Sequence, residues 1–394
     1  MRRLLLLSPG EVTRDPRARR AALTALGEGY AVAALSGSRP GEEPAALAHV
    51  EVIRVRYGRV STALRPARRS PPRRGSALGR ELRGLFRVAR LAALNVRLSR
   101  AWRGGPVEVV HAHDFDTLAA GWLLSRKLGA RLVYDAHELY AEQEPETPFV
   151  YRALVKALEG MLARRSEAVV TVSEPIADEL RRSLRLSSRP AVVLNCPLRA
   201  DVEPAPRGDG PLRAVYQGAM GPGRPLGDLL AASEEAEGVL LTIRVVNADL
   251  SELEREIAER GLEERVEIAK PVSPDELIEA LAGFHVGLVV NRPVTRNDEL
   301  VLPNKLFEYA MAGLAVVVPH LPGLAPLVEA ERLGLTFEPG RPHALGEALT
   351  QLAEDSELLE ELRRRARDAA VQRLNAEAQA PALMAAWGFD ESRR

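Results

Sequence analysis

The segment LPNKLFEYAMAG, from Leu302 to Gly313, carries residue types at a spacing that suits a nucleotide ligand. Pro303 fits the first turn of a helix, where the N–H that proline lacks would have no partner. The free N–H groups and the dipole of that turn attract an anion such as phosphate, and Lys305 adds a positive charge. Glu308, one turn on, can accept hydrogen bonds from two hydroxyls. Together these residues predict a nucleotide-sugar site; an ordinary amphipathic helix before a core strand is the alternative.

A second turn suited to phosphate follows the apolar stretch VYQ, in the sequence GAMGPGR from Gly218 to Arg224. Gly218, Gly221 and Gly223 let backbone N–H groups approach a phosphate, and Arg224 can bind it bidentately. The turn matches neither the Walker pattern nor G-x-G-x-x-G. It indicates a phosphate site mainly in combination with the helix at Pro303, because the second half of the chain then contains two turns suited to phosphate.

Ionisable side chains follow two apolar stretches in the first half of the chain. VVHAHD places His113 and Asp114 just past a strand expected to end at His111, and YDAHE places His137 and Glu138 after the next strand. Because ligands bind at the carboxyl ends of parallel strands, these groups predict a shared site. A structural hydrogen bond is the alternative for any single histidine. His-x-His-Asp also resembles a metal motif, but further ligands at matching spacing are missing, so we expect no metal and no cofactor.

The elements that must position these groups alternate between apolar strands and helical patterns, which predicts an α/β protein with parallel sheets. At 394 residues, two domains are expected. The segment RADVEPAPRGDG, rich in proline, glycine and charge, reads as a linker. We therefore predict a first domain at residues 1–198, a linker at 199–211, a second domain at 212–375, and a tail at 376–394 that packs back on the first domain.

Charge is distributed unevenly along the chain. Residues 1–200 hold 34 Lys and Arg against 20 Asp and Glu, whereas the whole chain is neutral. The basic residues lack interleaved aromatic side chains, so we expect no nucleic-acid partner. The single cysteine excludes an internal disulfide and favours a cytoplasmic protein.

The segment Arg65–Arg103 contains 12 arginines and one acidic residue. From Leu78 to Trp102 its apolar residues recur at helical spacing. One interpretation is a helix that packs this apolar face on the first sheet. The other is a basic amphipathic helix that lies on an anionic membrane surface, which would place the protein peripherally on the inner face of the membrane. The two interpretations are compatible if only the arginine face touches lipid head groups.

In these motifs the chain resembles the GT-B glycosyltransferases, and within them the retaining glycosyltransferase family four. The resemblance is nearly full length. Its segments are DPR (15–17), HAHDFDTLAAGWLL (111–124), LVYDAHELYAE (132–142), TVSEPIADEL (171–180), LNCP (194–197), YQGAMGPGR (216–224) and LPNKLFEYAMAG (302–313).

The resemblance implies two doubly wound Rossmann-like domains facing across a cleft, with the donor bound by the second and the acceptor mostly by the first. It implies metal-independent transfer of a sugar from a nucleoside diphosphate to a hydroxyl acceptor, a saccharide or lipid-linked group of envelope polysaccharide or glycolipid synthesis. The anomeric configuration is retained, and the leaving phosphate accepts the acceptor proton. The implied catalytic residues are His113, Asp114, Arg224 and Lys305; the donor side comprises Gly218, Gly221, Gly223, Arg224, Asn304, Lys305 and Glu308; the acceptor side comprises Asp15, His137 and Glu138.

Three positions depart from the family pattern. Leu300 stands where many members carry a glutamate that touches the donor sugar, Ala219 replaces a cation, and Pro225 replaces a glycine. Two other functions therefore stay open. One is a non-catalytic protein that binds a nucleotide-sugar or stabilises a partner transferase, and the other is a nucleotide-sugar epimerase.

Overall fold

The computed structural model describes residues 2–38, 47–56, 77–219, 226–246 and 250–389. The chain divides into two compact units, one formed by Met1–Val193 with Ala380–Arg394 and the other by Leu194–Gln379. Residues 199–211, expected to link two domains, lie within the second unit. Among the described residues, no helix is both long enough and apolar enough to cross a membrane.

The first unit is built on a parallel sheet whose described strands are ordered β3-β2-β1-β4-β5-β6-β7. The strands are β1 (Arg3–Ser8), β2 (Ala31–Ser38), β3 (Val50–Arg56), β4 (Val109–His113), β5 (Arg131–Ala136), β6 (Ala168–Thr171) and β7 (Ala191–Val192). The helices are α1 (Pro16–Gly27), α2 (Ala77–Ala101), α3 (Phe115–Leu128), α4 (Phe149–Ala163) and α5 (Glu174–Ser183), with a 3-10 turn at Tyr140–Glu142. Leu4–Leu7 are fully buried, because helices cover both faces of such a sheet.

The second unit contains a parallel sheet of order β10-β9-β8-β11-β12-β13. Its strands are β8 (Leu212–Ala219), β9 (Val239–Val246), β10 (Val266–Ala269), β11 (Val286–Leu288), β12 (Ala315–Pro319) and β13 (Gly334–Phe337). Its helices are α6 (Leu226–Glu235), α7 (Ser251–Glu259), α8 (Leu277–Ala282), α9 (Arg296–Leu300), α10 (Asn304–Met311), α11 (Ala325–Glu331), α12 (Pro342–Glu354) and α13 (Ser356–Gln372), and α14 (Ala376–Ala386) follows. The predicted α/β class with two Rossmann-like sheets is confirmed.

Each sheet reverses its strand order once, between β1 and β4 in the first unit and between β8 and β11 in the second. In doubly wound folds, ligands bind beyond the carboxyl ends of the strands at such a switch point. The histidines of β4 and the start of α10 are therefore at the edges where ligand sites are expected.

Several local expectations differ in detail from the structure. Strand β4 continues to His113, so this histidine belongs to the strand rather than following it. Pro303 is the N-cap of α10, in an extended conformation, and the helix begins at Asn304. Gly313 ends this helix as predicted, with a φ of 76°. It closes a Schellman motif in which Leu314 N–H donates to the Tyr309 carbonyl.

The arginine-rich segment departs most from expectation. Residues 65–76 of Arg65–Arg103 lie outside the described residues, and α2 makes up most of the remainder. The apolar face expected on the sheet is instead exposed, at Leu82, Leu85, Phe86 and Val96. Among its described side chains, α2 buries Leu94, Asn95 and Leu98.

Candidate active site

The two histidines of β4 point to the same face of the sheet, because side chains two residues apart in a strand share a face. His111 and His113 are both fully buried, and their rings stack with centroids 4.4 Å apart. The indole Nε1–H of Trp387 donates to His111 Nδ1 at 3.0 Å. Burial lowers the pKa of His111, so the ring is neutral. Since Nδ1 accepts from the indole, we assign the ring proton to Nε2.

Beside them on β5, Asp135 forms a buried ion pair with Arg17 of α1. The Arg17 Nε and Nη2 atoms donate to the two carboxylate oxygens at 2.7 and 2.8 Å, and Nη1 donates to the Val193 carbonyl. Burial alone would raise the pKa of Asp135, but Arg17, followed by His111, holds that pKa well below its usual value. Asp135 is therefore a fixed negative charge under the histidines.

His137 follows β5 and contacts His113 directly. Its Nδ1 lies 3.1 Å from Asp114 Oδ2, and its Nε2 lies 3.0 Å from His113 Nδ1. Burial alone would lower the pKa of His137, but the Asp114 carboxylate, and then Asp135, raise it to about 9. His137 is thus protonated at neutral pH, and both of its ring nitrogens donate.

These contacts determine the protonation of His113. Burial, and then the neighbouring His111 ring, lowers the pKa of His113 well below its usual value, so it is neutral. Because its Nδ1 accepts from protonated His137, its own proton lies on Nε2. That buried atom has no hydrogen-bond partner among the described residues. A buried N–H without a partner is rare in native structures, which makes this atom, like His111 Nε2, a candidate donor to a ligand.

Asp114 adopts a backbone conformation that L-residues rarely reach, with φ 60° and ψ 164°. The strain is of order 1–3 kcal/mol. Three hydrogen-bonding groups hold it there: its N–H donates to the Asp135 carbonyl, its Oδ1 accepts from the His137 backbone N–H, and its Oδ2 lies beside the His137 ring. The turn therefore fixes both His137 and the start of α3.

The pKa of His137 predicts a pH dependence of stability. A folded-state pKa of about 9 against an ordinary 6.5 means that the His137–Asp114 attraction is complete below pH 6.5 and is lost as the pH rises through about 9. We expect the stability difference between the wild type and His137→Gln to shrink by about 3 kcal/mol between roughly pH 6 and pH 10. Urea denaturation of both proteins across this range measures the difference. A difference that does not change with pH would contradict the assignment.

By distance alone, His111, His113 and Asp135 could hold a metal ion, since their ligand atoms lie within 4.8 Å of one another. Their chemistry does not fit a metal. Both Asp135 oxygens accept from Arg17, and His111 Nδ1 accepts from Trp387. A divalent cation here would also lie close to two positive charges, Arg17 and protonated His137. The expectation of metal independence stays a prediction.

In the second unit, Lys305 is buried and points toward the end of β8. Its Nζ lies 4.2 Å from the centroid of the Tyr216 ring. A Cβ added to Gly218 would lie 2.8 Å from the same Nζ, and Gly218 has a φ of 155°. Glycine at this position therefore keeps the strand end open to the lysine ammonium. The arrangement puts a cation and the start of α10 at the switch point of the second sheet.

Helix α10 is tied to the sheet through Tyr309. The buried Tyr309 hydroxyl accepts from the Gln217 N–H at 2.9 Å and donates to the Leu288 carbonyl. Gly287 makes room for this ring, since a Cβ there would lie 2.2 Å from it. Asn304, the first residue of the helix, and Glu308 are half-buried. The helix start is thus positioned rigidly against both strands that flank the switch point.

Other residues of the predicted donor side are placed less favourably or are not described. Gly221, Gly223 and Arg224 lie outside the described residues. Leu300, the departure from the family pattern, is buried in the unit, and the neighbouring Glu299 pairs with Arg296 at the surface. Glu299 therefore does not replace the missing carboxylate. Arg244 of β9 is a buried cation that lies beside Gln217. It was not among the site residues predicted from the sequence, although a charged residue within an apolar strand could have indicated it.

The structure brings His113, Asp114 and His137 into direct contact, as the strand-end argument predicted. Glu138 follows them and is half-buried. Asp15 caps α1 by accepting from the N–H groups of Arg17 and Ala18, which gives it a local structural role; its acceptor-side role stays a prediction. The sequence analysis assigned no role to four residues of this cluster. These are Arg17, His111, Asp135 and Trp387.

Solved structures of other proteins share the fold of this chain. A sucrose-phosphate synthase from Thermosynechococcus elongatus superposes with a TM-score of 0.72 at 16% identity, over 98% of each chain. HepE from Anabaena, in complex with UDP-glucose, gives 0.68 at 14% identity over 98% of this chain and 100% of HepE. An α,α-trehalose-phosphate synthase from Burkholderia xenovorans gives 0.69 at 13% identity, with the same coverage. These likenesses show the GT-B fold.

Family models match both halves of the chain. The glycosyl transferase 4-like domain matches residues 15–197, and the glycosyl transferase-like family matches residues 230–385. The chain belongs to the GT-B glycosyltransferases of the group 1 type, which confirms the resemblance seen in the sequence. No curated protein sequence matches the chain.

Proposed function

We propose that the protein transfers a sugar from a nucleoside-diphosphate sugar to a hydroxyl of a saccharide or lipid-linked acceptor, with retention of the anomeric configuration and without a metal. A UDP-sugar is the first donor to test. HepE is described in complex with UDP-glucose, and the trehalose-phosphate synthase is described as UDP-forming.

The observation that carries this proposal is the Nε2–H of His113, which is buried at the end of β4 and has no partner among the described residues. A neutral imidazole that donates from Nε2 suits a sugar hydroxyl or a leaving oxygen. Its proton position is enforced, because protonated His137 occupies Nδ1. Preorganised donors of this kind stabilise charge that develops in a transition state.

On the donor side, Lys305 and the N-terminus of α10 supply positive potential for a diphosphate. Glu308, one turn into the same helix, suits the two hydroxyls of a ribose. This electrostatic arrangement supports diphosphate departure without a metal, and we expect a chelator to leave activity unchanged. We also assign Arg224 to the binding of the donor diphosphate, as part of this proposal.

Retention requires either two displacements or attack from the same face that the phosphate leaves. Asp135 is unsuited to form a covalent intermediate, since both its oxygens accept from Arg17 and it is buried. We therefore propose front-face attack, in which the leaving phosphate takes the proton of the acceptor hydroxyl. The protein then contributes mainly positioning and charge stabilisation.

The first test is a thermal-shift screen against UDP-, GDP-, ADP- and TDP-sugars without added metal. A ligand at about 100 times its Kd stabilises the native state by about 2.7 kcal/mol. We expect one nucleotide series to raise the melting temperature by several degrees. In Glu308→Ala we expect at least about tenfold weaker binding, because hydrogen bonds to a charged group contribute about 1.5–3 kcal/mol.

Glu299→Ala is the matched control, since Glu299 lies nearby in sequence but pairs with Arg296 at the surface. Equal losses in the two variants would contradict the role of Glu308. Donor hydrolysis or transfer to any acceptor separates an enzyme from a binding protein, and a free epimerised nucleotide-sugar would identify an epimerase. The anomeric configuration of the product, measured by NMR, tests retention.

A further inference from the structure

Helix α2 turns an apolar face toward solvent. Leu82, Leu85, Phe86 and Val96 are 48%, 44%, 61% and 40% exposed. Leu85, Phe86 and Val96 lie three, four and fourteen residues after Leu82, which places all four on one side of the helix. Soluble helices normally direct this face inward.

Helix α4 also turns an apolar face toward solvent. Its buried side chains include Tyr151, Val155 and Leu162, whereas Phe149 and Val150 at its start are 71% and 43% exposed. The face continues through three further exposed apolar residues, Leu154, Leu158 and Met161. Nothing polar interrupts it, because the positions between them on that side are Ala153 and Ala157.

The two helices pack against each other mainly through residues outside their exposed faces. Gly84 of α2 lies against Tyr151 of α4, where an added Cβ would be 2.7 Å from the Tyr151 Cβ. The Val150 N–H donates to Glu81 Oε2, and the Arg87 guanidinium lies over the Tyr151 ring. We call the exposed residues Leu82, Leu85, Phe86, Val150, Leu154 and Leu158 the α2–α4 surface. Monomeric soluble proteins rarely expose large apolar patches, so six exposed apolar side chains on two neighbouring helices are a candidate docking surface.

The charges around the α2–α4 surface are mostly positive. Helix α2 carries six arginines against one acidic residue, Glu81, and α4 adds Arg152 and Lys156. Arg87 pairs with Glu144, and Arg152 and Lys156 pair with Glu142, so the excess of positive charge comes from the other arginines of α2. An apolar face bordered by arginine and lysine is the pattern of a surface that inserts shallowly among anionic lipid head groups.

We propose that the α2–α4 surface docks the protein on an anionic membrane, with its apolar side chains inserted at the head-group boundary. The arginines then contact lipid head groups from the border of the surface. This extends the sequence-based interpretation of a membrane-bound amphipathic helix from α2 to α4. The chain from Glu138 to Phe149 connects the acceptor-side residues to α4, so docking would bring the first unit to a lipid-linked acceptor. That last consequence rests on the proposed function, whereas lipid binding itself does not.

The test is flotation of the full chain with phosphatidylcholine vesicles, with and without phosphatidylglycerol. We expect flotation only with phosphatidylglycerol, weakened by high salt because exposed charges are then screened. Phe86→Ser combined with Leu158→Ser should reduce vesicle affinity by about tenfold or more, from the apolar area that no longer inserts. Leu158 is 36% exposed, close to the 39% of Leu240 in the control described next, so the two double variants should have similar melting temperatures.

Leu240→Ser combined with Val294→Ser is the control, because these residues of the second unit are similarly exposed, at 39% and 46%, and lie outside the surface. The control should bind vesicles like the wild type. Absence of flotation, or equal loss in both double variants, would overturn the proposal. So would a dimer in sedimentation velocity that the Phe86/Leu158 variant makes monomeric, since a second copy would then cover the surface. Loss of donor binding would leave this result untouched, so the two proposals fail separately.

Discussion

Replacing His113 by alanine is expected to lower the turnover number by about 100-fold or more, with little change in the affinity for the donor. Removing one preorganised donor at a reacting centre typically costs about 100- to 1,000-fold in rate. His113 presents a single buried N–H, directed by the hydrogen bond from His137 to its other nitrogen. Turnover and donor Kd, measured separately, distinguish this effect from a general loss of binding.

The appropriate control is His343→Ala, because His343 is exposed and pairs with Glu235 in the second unit. A second variant, His113→Gln, keeps an N–H donor on a side chain of different shape and should retain more turnover than alanine. Unchanged turnover in His113→Ala would remove this residue from the mechanism. If the turnover number falls and the melting temperature falls by several degrees as well, the role of His113 is one of packing.

Replacing Asp135 by asparagine is expected to lower the free energy of unfolding of the first unit by about 3–5 kcal/mol. The substitution keeps the shape of the side chain but leaves the Arg17 guanidinium buried without its counter-charge, and breaking one partner of a buried pair has a cost of this order. The tryptophans Trp102, Trp122 and Trp387 are the only three in the chain, and all belong to the first unit. Their fluorescence in urea therefore reports this unit alone.

A double-mutant cycle separates the ion pair from the shape of the site. Arg17→Met combined with Asp135→Leu removes both charges. This double variant should be more stable than the summed losses of the single variants Arg17→Met and Asp135→Leu predict. If the losses add, the two charges are not coupled. If Asp135→Asn unfolds like the wild type, Asp135 does not hold the site together.

Much of the fold follows from local sequence. The strand of Leu4–Leu7 and the strands of the second unit follow from short apolar runs, and their alternation with helices leaves parallel sheets as the consistent arrangement. The end of α10 at Gly313 was also predictable, because glycine reaches the φ of 76° that the turn requires. The contact of His113 with His137 followed from one rule, that neighbouring parallel strands bring their carboxyl ends together.

The proton positions at the candidate site could not be predicted in this way. They depend on Trp387, which is 276 residues away from His111 along the chain, and on the pairing of Arg17 with Asp135. Burial and the placement of charges through space set these pKa values, and neither is visible in local sequence.

The orientation of α2 also separates what local sequence determines from what tertiary contacts determine. The spacing of Leu82, Leu85 and Phe86 determined that the helix is amphipathic, since helical periodicity depends on local sequence alone. It did not determine which way the apolar face turns, so packing on the sheet and contact with a membrane surface both stayed open. Only the tertiary structure shows that Gly84 packs against Tyr151 and leaves that face exposed. The sequence sets the pattern on a helix, but the contacts with distant neighbours decide which side is buried.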